Sequence, residues 1–119
     1  MMVDKLIQHE GYKKIKDDLL SLLKREIGLL RELVDSVYRE QQVILDNRAN
    51  EVAEIVQARE SILVEVVKVR EARIKKHKEV ESLKNEIIND EDFIDNEIEI
   101  YFEQIQELLR SEEHTSELQ

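Results

Sequence analysis

Apolar residues recur at spacings of three and four along most of this 119-residue chain, which contains no proline and only two glycines. Residues with that spacing lie on one face of an α-helix. Such series occupy residues 12–44, residues 52–73 and residues 94–108. The spacing therefore predicts an all-α fold of long amphipathic helices, packed around a thin core of aliphatic side chains.

Five polar or small residues, Asp46-Asn47-Arg48-Ala49-Asn50, separate the first two series. Asp and Asn are poor residues inside a helix and good residues at its ends, and Asn tolerates the left-handed conformation found there. We therefore expect a short turn that folds the second helix back on the first, as an antiparallel helical hairpin or coiled coil. A single continuous rod is the competing interpretation.

A second group of capping residues, Asn89-Asp90-Glu91-Asp92, precedes the last series. We expect a third helix from about residue 90 to residue 109. The sequence leaves open whether residues 75–109 form one helix or two.

Three further features bear on how the helices pack. Additional leucines widen the first series: Leu20, Leu22, Leu29 and Leu33. A stripe of that width is typical of a helix that contacts two neighbours. Gly28 lies inside the stripe, either as a tolerated glycine or as a point of close helix approach. Arg59 and Arg73 occupy apolar positions of the second series, so we expect their stems to pack while each guanidinium reaches solvent or a carboxylate.

The two ends of the chain are interpreted separately from residues 12–109, which we expect to form one helical domain. Residues 1–11 are predicted to be a flexible N-terminus. The last ten residues, RSEEHTSELQ, match the in-frame translation of a sequencing adapter, so residues 110–119 are interpreted as a non-native tail that replaces the natural C-terminal sequence. A genuine polar helix end is the competing interpretation.

The formal net charge of −10 argues against nucleic acid as the main partner, because phosphate binding requires a basic surface, and it disfavours binding to anionic lipid. The stretch 68–78 is an exception, with six Lys or Arg residues against one acid. We interpret it as a solvent-exposed face that forms weak ion pairs with the acidic region 86–107. Contact with nucleic acid or an acidic partner is the alternative.

Nothing in the sequence indicates catalysis. The chain has no cysteine, and none of its three histidines follows a glutamate by three residues, as the di-iron sites of helical bundles require. The two glycines form no phosphate-binding loop. We therefore expect no enzyme activity, no cofactor and no metal. The chain also shows no signal peptide and no apolar run long enough to cross a bilayer, so we expect a cytoplasmic protein.

One apolar stripe is a candidate binding site for a partner. It consists of Ile94, Ile98, Tyr101, Ile105, Leu108 and Leu109. Such a stripe is either core or a groove surface that receives an amphipathic helix, and a thin bundle cannot easily cover every stripe that it displays. We expect these residues to bind a partner. The alternative is a structural coiled-coil protein that self-associates as a homo-oligomer through the same stripes and has no client.

The residues beside the polar corner resemble a known family. They are the run Val37-Tyr38-Arg39-Glu40-Gln41-Gln42-Val43-Ile44-Leu45, the run Ala58-Arg59-Glu60-Ser61-Ile62-Leu63, and the arginines Arg70 and Arg73. This pattern resembles the FlgN family of flagellar type III secretion chaperones, over about residues 19–109, with Arg59-Glu60 in place of a Lys-Glu pair. The resemblance implies a hairpin with a third helix that contributes to the client surface. It also implies a cytosolic export chaperone that binds the C-terminal amphipathic segments of hook-associated proteins, which form the hook–filament junction, before their secretion for flagellum assembly.

Overall fold

The computed structural model describes the backbone of residues 2–88 and 93–117 and the side chains of residues 5–88 and 93–110. Four α-helices follow one another: α1, Met2–Gln8; α2, Glu10–Leu45; α3, Val52–Ile88; and α4, Asn96–Glu117. A short 3-10 helix, Ala49–Glu51, connects α2 to α3. The described residues include no β-strand, so the predicted all-α fold is confirmed.

Helices α2 and α3 pack along each other as an antiparallel hairpin. Arg73 near the middle of α3 bonds to Glu26 near the middle of α2, whereas Arg59 near the start of α3 bonds to Glu40 near the end of α2. At 1.5 Å per residue each helix is about 55 Å long. The molecule accordingly measures 63 × 22 × 16 Å. The predicted hairpin is therefore confirmed, and the continuous rod is wrong.

The turn between α2 and α3 is closed by backbone hydrogen bonds at the end of α2. The N–H of Arg48 donates to the carbonyl oxygen of Val43 at 2.9 Å, and the N–H of Asn47 donates to that of Ile44 at 3.2 Å. This pair of bonds defines a Schellman motif, which requires a left-handed residue after the helix cap. Asn47 supplies it with a φ of 61°. The Asn-rich corner was predicted from this conformational tolerance.

Residues 75–109 belong to two helices, because α3 ends at Ile88 and α4 begins at Asn96. The predicted start of the third helix near residue 90 is therefore about six residues early. The capping group at residues 89–92 lies outside the described residues. Asp95 instead caps α4, accepting a hydrogen bond at Oδ1 from the N–H of Glu97 at 3.1 Å.

The hydrophobic core runs along α2, which packs against both α3 and α4. This arrangement confirms that the broad stripe of α2 serves two neighbours. The buried apolar residues are Leu6, Tyr12, Leu19, Leu20, Leu23, Ile27, Leu30, Leu33, Val66, Val80, Ile88, Ile98 and Ile105. Gly28 is not a point of close approach, because a Cβ atom built there meets nothing within 4 Å.

The N-terminal segment contains α1, a seven-residue helix that packs on α3. Its Leu6 is 0% exposed and belongs to the core. Seven residues are too few to show a helical period in the sequence. Helix α2 begins at Glu10, two residues before the predicted start, because the Nδ1 atom of His9 accepts a hydrogen bond from the N–H of Tyr12 and caps the helix. The flexibility of residues 1–11 stays a prediction.

Candidate protein-docking surface

The six residues of the predicted binding stripe divide into covered and exposed positions. Ile98 and Ile105 are buried, and Tyr101, Leu108 and Leu109 are half-buried and pack against the core. Ile94 is 61% exposed. Five of the six therefore contact the chain's own helices, and the face that they form is not an open groove in this structure.

The N-terminal end of α4 is fixed by a cluster around Asp95. Its Oδ2 atom accepts a hydrogen bond from the hydroxyl of Tyr12 at 2.8 Å and lies 2.9 Å from the Nζ atom of Lys16. Lys16 also pairs with Glu97 at 3.2 Å. Charge-assisted hydrogen bonds of this kind are stronger than neutral ones, so the cluster ties α4 to the first turns of α2.

The ionisation of this cluster favours the paired state. Burial raises the pKa of Asp95, but the bonds from Lys16 and Tyr12 outweigh it, and the net pKa is below the ordinary value. Burial lowers the pKa of Lys16, but Asp95 and Glu97 outweigh it, and the net pKa is raised. Burial and the adjoining Asp95 carboxylate raise the pKa of Tyr12 well above its usual range. Near neutral pH the carboxylate and the ammonium are therefore both charged.

A second polar contact holds the segment just before α4. Lys84 is 4% exposed, and its Nζ atom donates to the carbonyl oxygen of Phe93 at 3.0 Å and pairs with Glu81 at 2.9 Å. A cleft of about 190 Å³ opens beside it. Buried lysines require such partners, because an unpaired ammonium in the interior is costly.

The middle of the bundle contains a buried carboxylate. Glu26 is 0% exposed and accepts hydrogen bonds from Arg73, Nε at 2.9 Å and Nη2 at 3.1 Å, and from Arg70 Nε at 3.4 Å. The Arg73 guanidinium also lies 5.2 Å from the ring centroid of Phe102 in α4, within the range of a cation–π interaction. The cluster thus connects α2, α3 and α4.

These contacts test two predictions about the partners of the basic side chains. Arg59 and Arg73 were expected to reach either solvent or a carboxylate from apolar positions, and each pairs with a carboxylate, Arg59 with Glu40 and Arg73 with Glu26. The stretch 68–78 was expected to pair with residues 86–107, and this is wrong for its described ion pairs. They involve instead Glu65, Glu26, Glu79 and Glu81. The reason is that those acids lie on α3 itself or on the facing part of α2.

The outer side of α4 is acidic. Residues 85–109 contain nine Asp or Glu and no Lys or Arg. Glu97, Glu99 and Glu103 are exposed, and Ile94 and Ile100, at 61% and 53% exposure, lie among them. We call these five residues the acidic face. Glu99 and Glu103 are four residues apart, and like charges at that spacing destabilise a helix by a few tenths of a kcal/mol. Helix stability therefore does not explain this arrangement.

Further exposed apolar side chains lie on α2 and α3. We call these residues the arm patch: Tyr38, Ile44, Leu45, Leu63, Val64 and Val67. Leu45 is the most exposed of them, at 79%. Tyr38 and Leu45 are seven residues apart in α2, so they lie on one face of that helix.

Sequence reasoning missed Glu26, Lys84 and Asp95 as structural residues. Glu26 continues a spacing of four, three and four through Leu19, Leu23 and Leu30. Lys84 follows Val80 by four residues and precedes Ile88 by four, which places it on the same buried face. Both signals consist of a charged residue at an apolar position. The acidic face was missed because Ile94 was counted as part of the apolar stripe.

The fold and contacts define an elongated helical hairpin of α2 and α3, with α4 packed on α2. A family model described as "CEP192, PLK4 binding region" matches residues 74–112, about a third of the chain. This segment contains the second half of α3, the acidic face and most of α4. No curated protein and no solved structure matches the chain.

This finding overturns the resemblance to FlgN. The family that matches is a different one, so the assignments to flagellum assembly and type III secretion are wrong, and so are the hook-associated proteins as partners. The physical reason is that the quoted runs consist of residues that any antiparallel helical hairpin uses. Apolar residues at seam positions and Arg–Glu pairs across the seam, as Arg59 forms with Glu40, recur wherever two amphipathic helices pack.

Two other features concern metals and membranes. In the parts of the chain that the structure describes, no three His, Cys, Asp or Glu side chains come together in a way that could hold a metal ion. Within the same residues, no helix combines the length and apolar character needed to span a membrane.

The buried cluster predicts a large effect of a single substitution. Glu26→Ala leaves Arg73, whose side chain is 14% exposed, without its carboxylate, and we expect the free energy of unfolding to fall by about 3–5 kcal/mol. The matched control is Glu32→Ala, at an exposed position of α2, with an expected change within about 0.5 kcal/mol. Urea unfolding followed by circular dichroism measures both. Equal effects of the two substitutions would contradict the role of Glu26.

The Asp95 cluster predicts a pH-dependent contribution to stability. A carboxyl whose folded pKa is lowered stabilises the fold above its unfolded pKa, about 3.9, and this contribution is lost as the pH falls through the folded value. Asp95→Asn should therefore lower the free energy of unfolding by about 1–3 kcal/mol at neutral pH and by much less near pH 2. The pKa of Lys16 is raised above 10.5 in the folded state, so Lys16 contributes to stability until the pH rises through that folded pKa.

Urea unfolding of both proteins between about pH 2 and pH 7 measures this difference. Asp17→Asn, at an exposed position of α2, is the control. A difference between the wild type and Asp95→Asn that does not change with pH would show that the charge on Asp95 contributes nothing.

Proposed function

We propose that the protein is a non-catalytic docking module that binds a basic surface of a partner protein through the acidic face of α4. The observation that carries this proposal is the concentration of nine acids without one base in residues 85–109, with two exposed isoleucines among them. We further propose that it acts in the cytoplasm, because a chain without cysteine is compatible with a reducing compartment.

The two kinds of side chain on the acidic face have different roles in this binding. Carboxylates attract a basic partner over a distance and speed its association, and they discourage acidic partners. Ile94 and Ile100 provide apolar area that is removed from water on contact, at about 25 cal/mol per Å². An apolar centre with a charged surround is the usual composition of a protein interface.

The family match supports a protein as the partner. The matching region is described as the one through which CEP192 binds PLK4, and the match includes the acidic face. For this chain the corresponding partner is a kinase of the PLK4 type, with a basic docking surface. As in the hypothesis of a helix-binding protein, the proposed activity is the recognition of another protein and not catalysis.

The acidic face is tested by neutralising it without changing its shape. The variant Glu99→Gln, Glu103→Gln is compared with the variant Glu54→Gln, Glu60→Gln, which removes the same charge from exposed positions of α3. Binding to immobilised PLK4 is measured at low and at physiological salt. We expect the first variant to bind about tenfold or more weakly and the second to bind like the wild type. Binding should weaken with salt.

Two results would contradict the proposal. An equal loss in both variants would show that net charge, and not this face, is responsible. An affinity for PLK4 that neither salt nor the α4 variant changes would place the binding elsewhere on the chain, and no binding of the wild type would exclude PLK4 as the partner.

A second candidate function is self-association as a structural protein, and the arm patch favours it. Tyr38 and Leu45 lie on one face of α2 and are 57% and 79% exposed, and apolar side chains exposed together mark interaction sites. Two hairpins that pack through their arm patches would form a four-helix bundle.

Light scattering on a size-exclusion column tests the self-association. We expect a dimer for the wild type and a monomer for Leu45→Glu combined with Leu63→Glu. Ile7→Glu, an exposed apolar position in α1, is the control and should leave the dimer intact. A monomeric wild type at about 100 μM would exclude this function, because specific dimers associate well below that concentration.

A further inference from the structure

Helix α4 is attached to the bundle by fewer buried contacts than α2 and α3 share with each other. Among the described residues, α4 contributes Ile98 and Ile105 to the buried core, whereas most of the remaining core residues belong to α2 and α3. Cα atoms of α4 lie within 8 Å of α2, and in the described part none lies that close to α3. The backbone of α4 therefore packs on one helix and reaches the other through side chains.

The apolar contacts of α4, with Ile98 and Ile105 buried, are supplemented by polar contacts near its start and cation–π contacts further along. Asp95 bonds to Tyr12 and Lys16 at the start of the helix. Further along, the Nζ atom of Lys24 lies 5.6 Å from the ring centroid of Tyr101, and Arg73 lies over Phe102. Each of these polar and cation–π contacts can be exchanged for water, unlike the apolar seam between α2 and α3.

The surface that α4 covers on α2 is apolar. Lys16 and Lys24 both contact α4 or the residue before it, so they mark the face of α2 that points to α4. Leu20 lies four residues from each of them, and Ile27 lies three residues beyond Lys24, so both share that face. Leu20 is 5% exposed and Ile27 is 4% exposed. Removal of α4 would therefore expose an apolar groove on the hairpin.

We propose that α4 is a displaceable cover of this groove, an autoinhibitory contact that keeps the hairpin from binding an amphipathic helix of another protein. The incoming helix has the same pattern as α4, which already fits the groove. It carries two isoleucines seven residues apart, an aromatic residue between them, and an acid before its first turn that meets Tyr12 and Lys16. Displacement also frees Ile98, Tyr101, Ile105, Leu108 and Leu109, the predicted binding stripe. This inference does not depend on the proposed binding of a basic partner.

A peptide that reproduces α4 tests the displacement. A fluorescent peptide of residues 93–110 carries its own Asp95, so it can form the bonds that the full-length variant Asp95→Ala has lost. We expect it to bind that variant about tenfold or more tightly than the wild type, since loss of a charge-assisted bond changes an equilibrium by at least that factor. Asp18→Ala, at an exposed position of α2, should bind like the wild type. A peptide with Ile98→Asp and Ile105→Asp should not bind.

Equal affinity for the wild type and for Asp95→Ala would overturn the proposal, and so would no binding to either. A higher oligomeric state of Asp95→Ala than of the wild type in the absence of peptide would identify the occupant as α4 of a second copy, which would overturn the assignment to another protein's helix.

Hydrogen exchange on the full chain provides a second measurement. Because α4 opens alone, its amides at residues 98–109 should exchange at least about tenfold faster than those at residues 66–84 of α3, and Asp95→Ala should accelerate only the former. Loss of protection in α3 and α4 together would show that the three long helices open as one unit and would overturn the proposal.

Discussion

The contact between Glu26 and Arg73 constrains the rest of the structure. A carboxylate that is fully buried is tolerated only when its charge is paired and its oxygens are hydrogen-bonded, and Arg73 and Arg70 meet both conditions. Because the two arginines lie three residues apart in α3, a large shift of α3 along α2 would leave Glu26 unpaired among apolar side chains. The apolar seam alone is less selective, because leucine and valine pack in several registers. The buried charge therefore restricts the alignment of the hairpin, and the contact of Arg73 with Phe102 connects α4 to the same cluster.

Helix α2 has two long neighbours, α3 and α4, and its buried stripe is correspondingly wide. Toward the turn, Tyr38, Ile44 and Leu45 of the same helix are exposed. The chain thus presents two kinds of surface, the acidic side of α4 and exposed apolar side chains of the hairpin.

The parts of the fold that depend on local sequence could be predicted, and those that depend on tertiary neighbours could not. Asn47 identified the turn because its side chain suits a left-handed backbone, which is a property of the residue itself. Arg59 and Arg73 identified cross-helix ion pairs because arginine at an apolar position needs a carboxylate. Asp95 looks in the sequence like any acid in an acidic segment, and only the approach of Tyr12 and Lys16 distinguishes it.

The same limit applies to the predicted binding stripe and to the family resemblance. The series from Ile94 to Leu108 has the spacing of a helix face, but spacing does not say whether the chain itself or another protein covers that face. The runs beside the corner suggested one chaperone family because hairpins share their seam residues. In both cases the sequence predicted a helix and its apolar face. Which residues pack against that face depends on the tertiary structure.

The length of α2 has a mechanical consequence. Tyr12, beside the start of α4, and Leu45, at the turn, belong to the same uninterrupted helix, and their separation of 33 residues corresponds to about 50 Å. The antiparallel α3 braces this helix along its whole length, so the distance does not vary as it would across a flexible linker. Two molecules bound at the opposite ends of α2 would be held at a fixed distance from each other, and the chain would act as a rigid spacer.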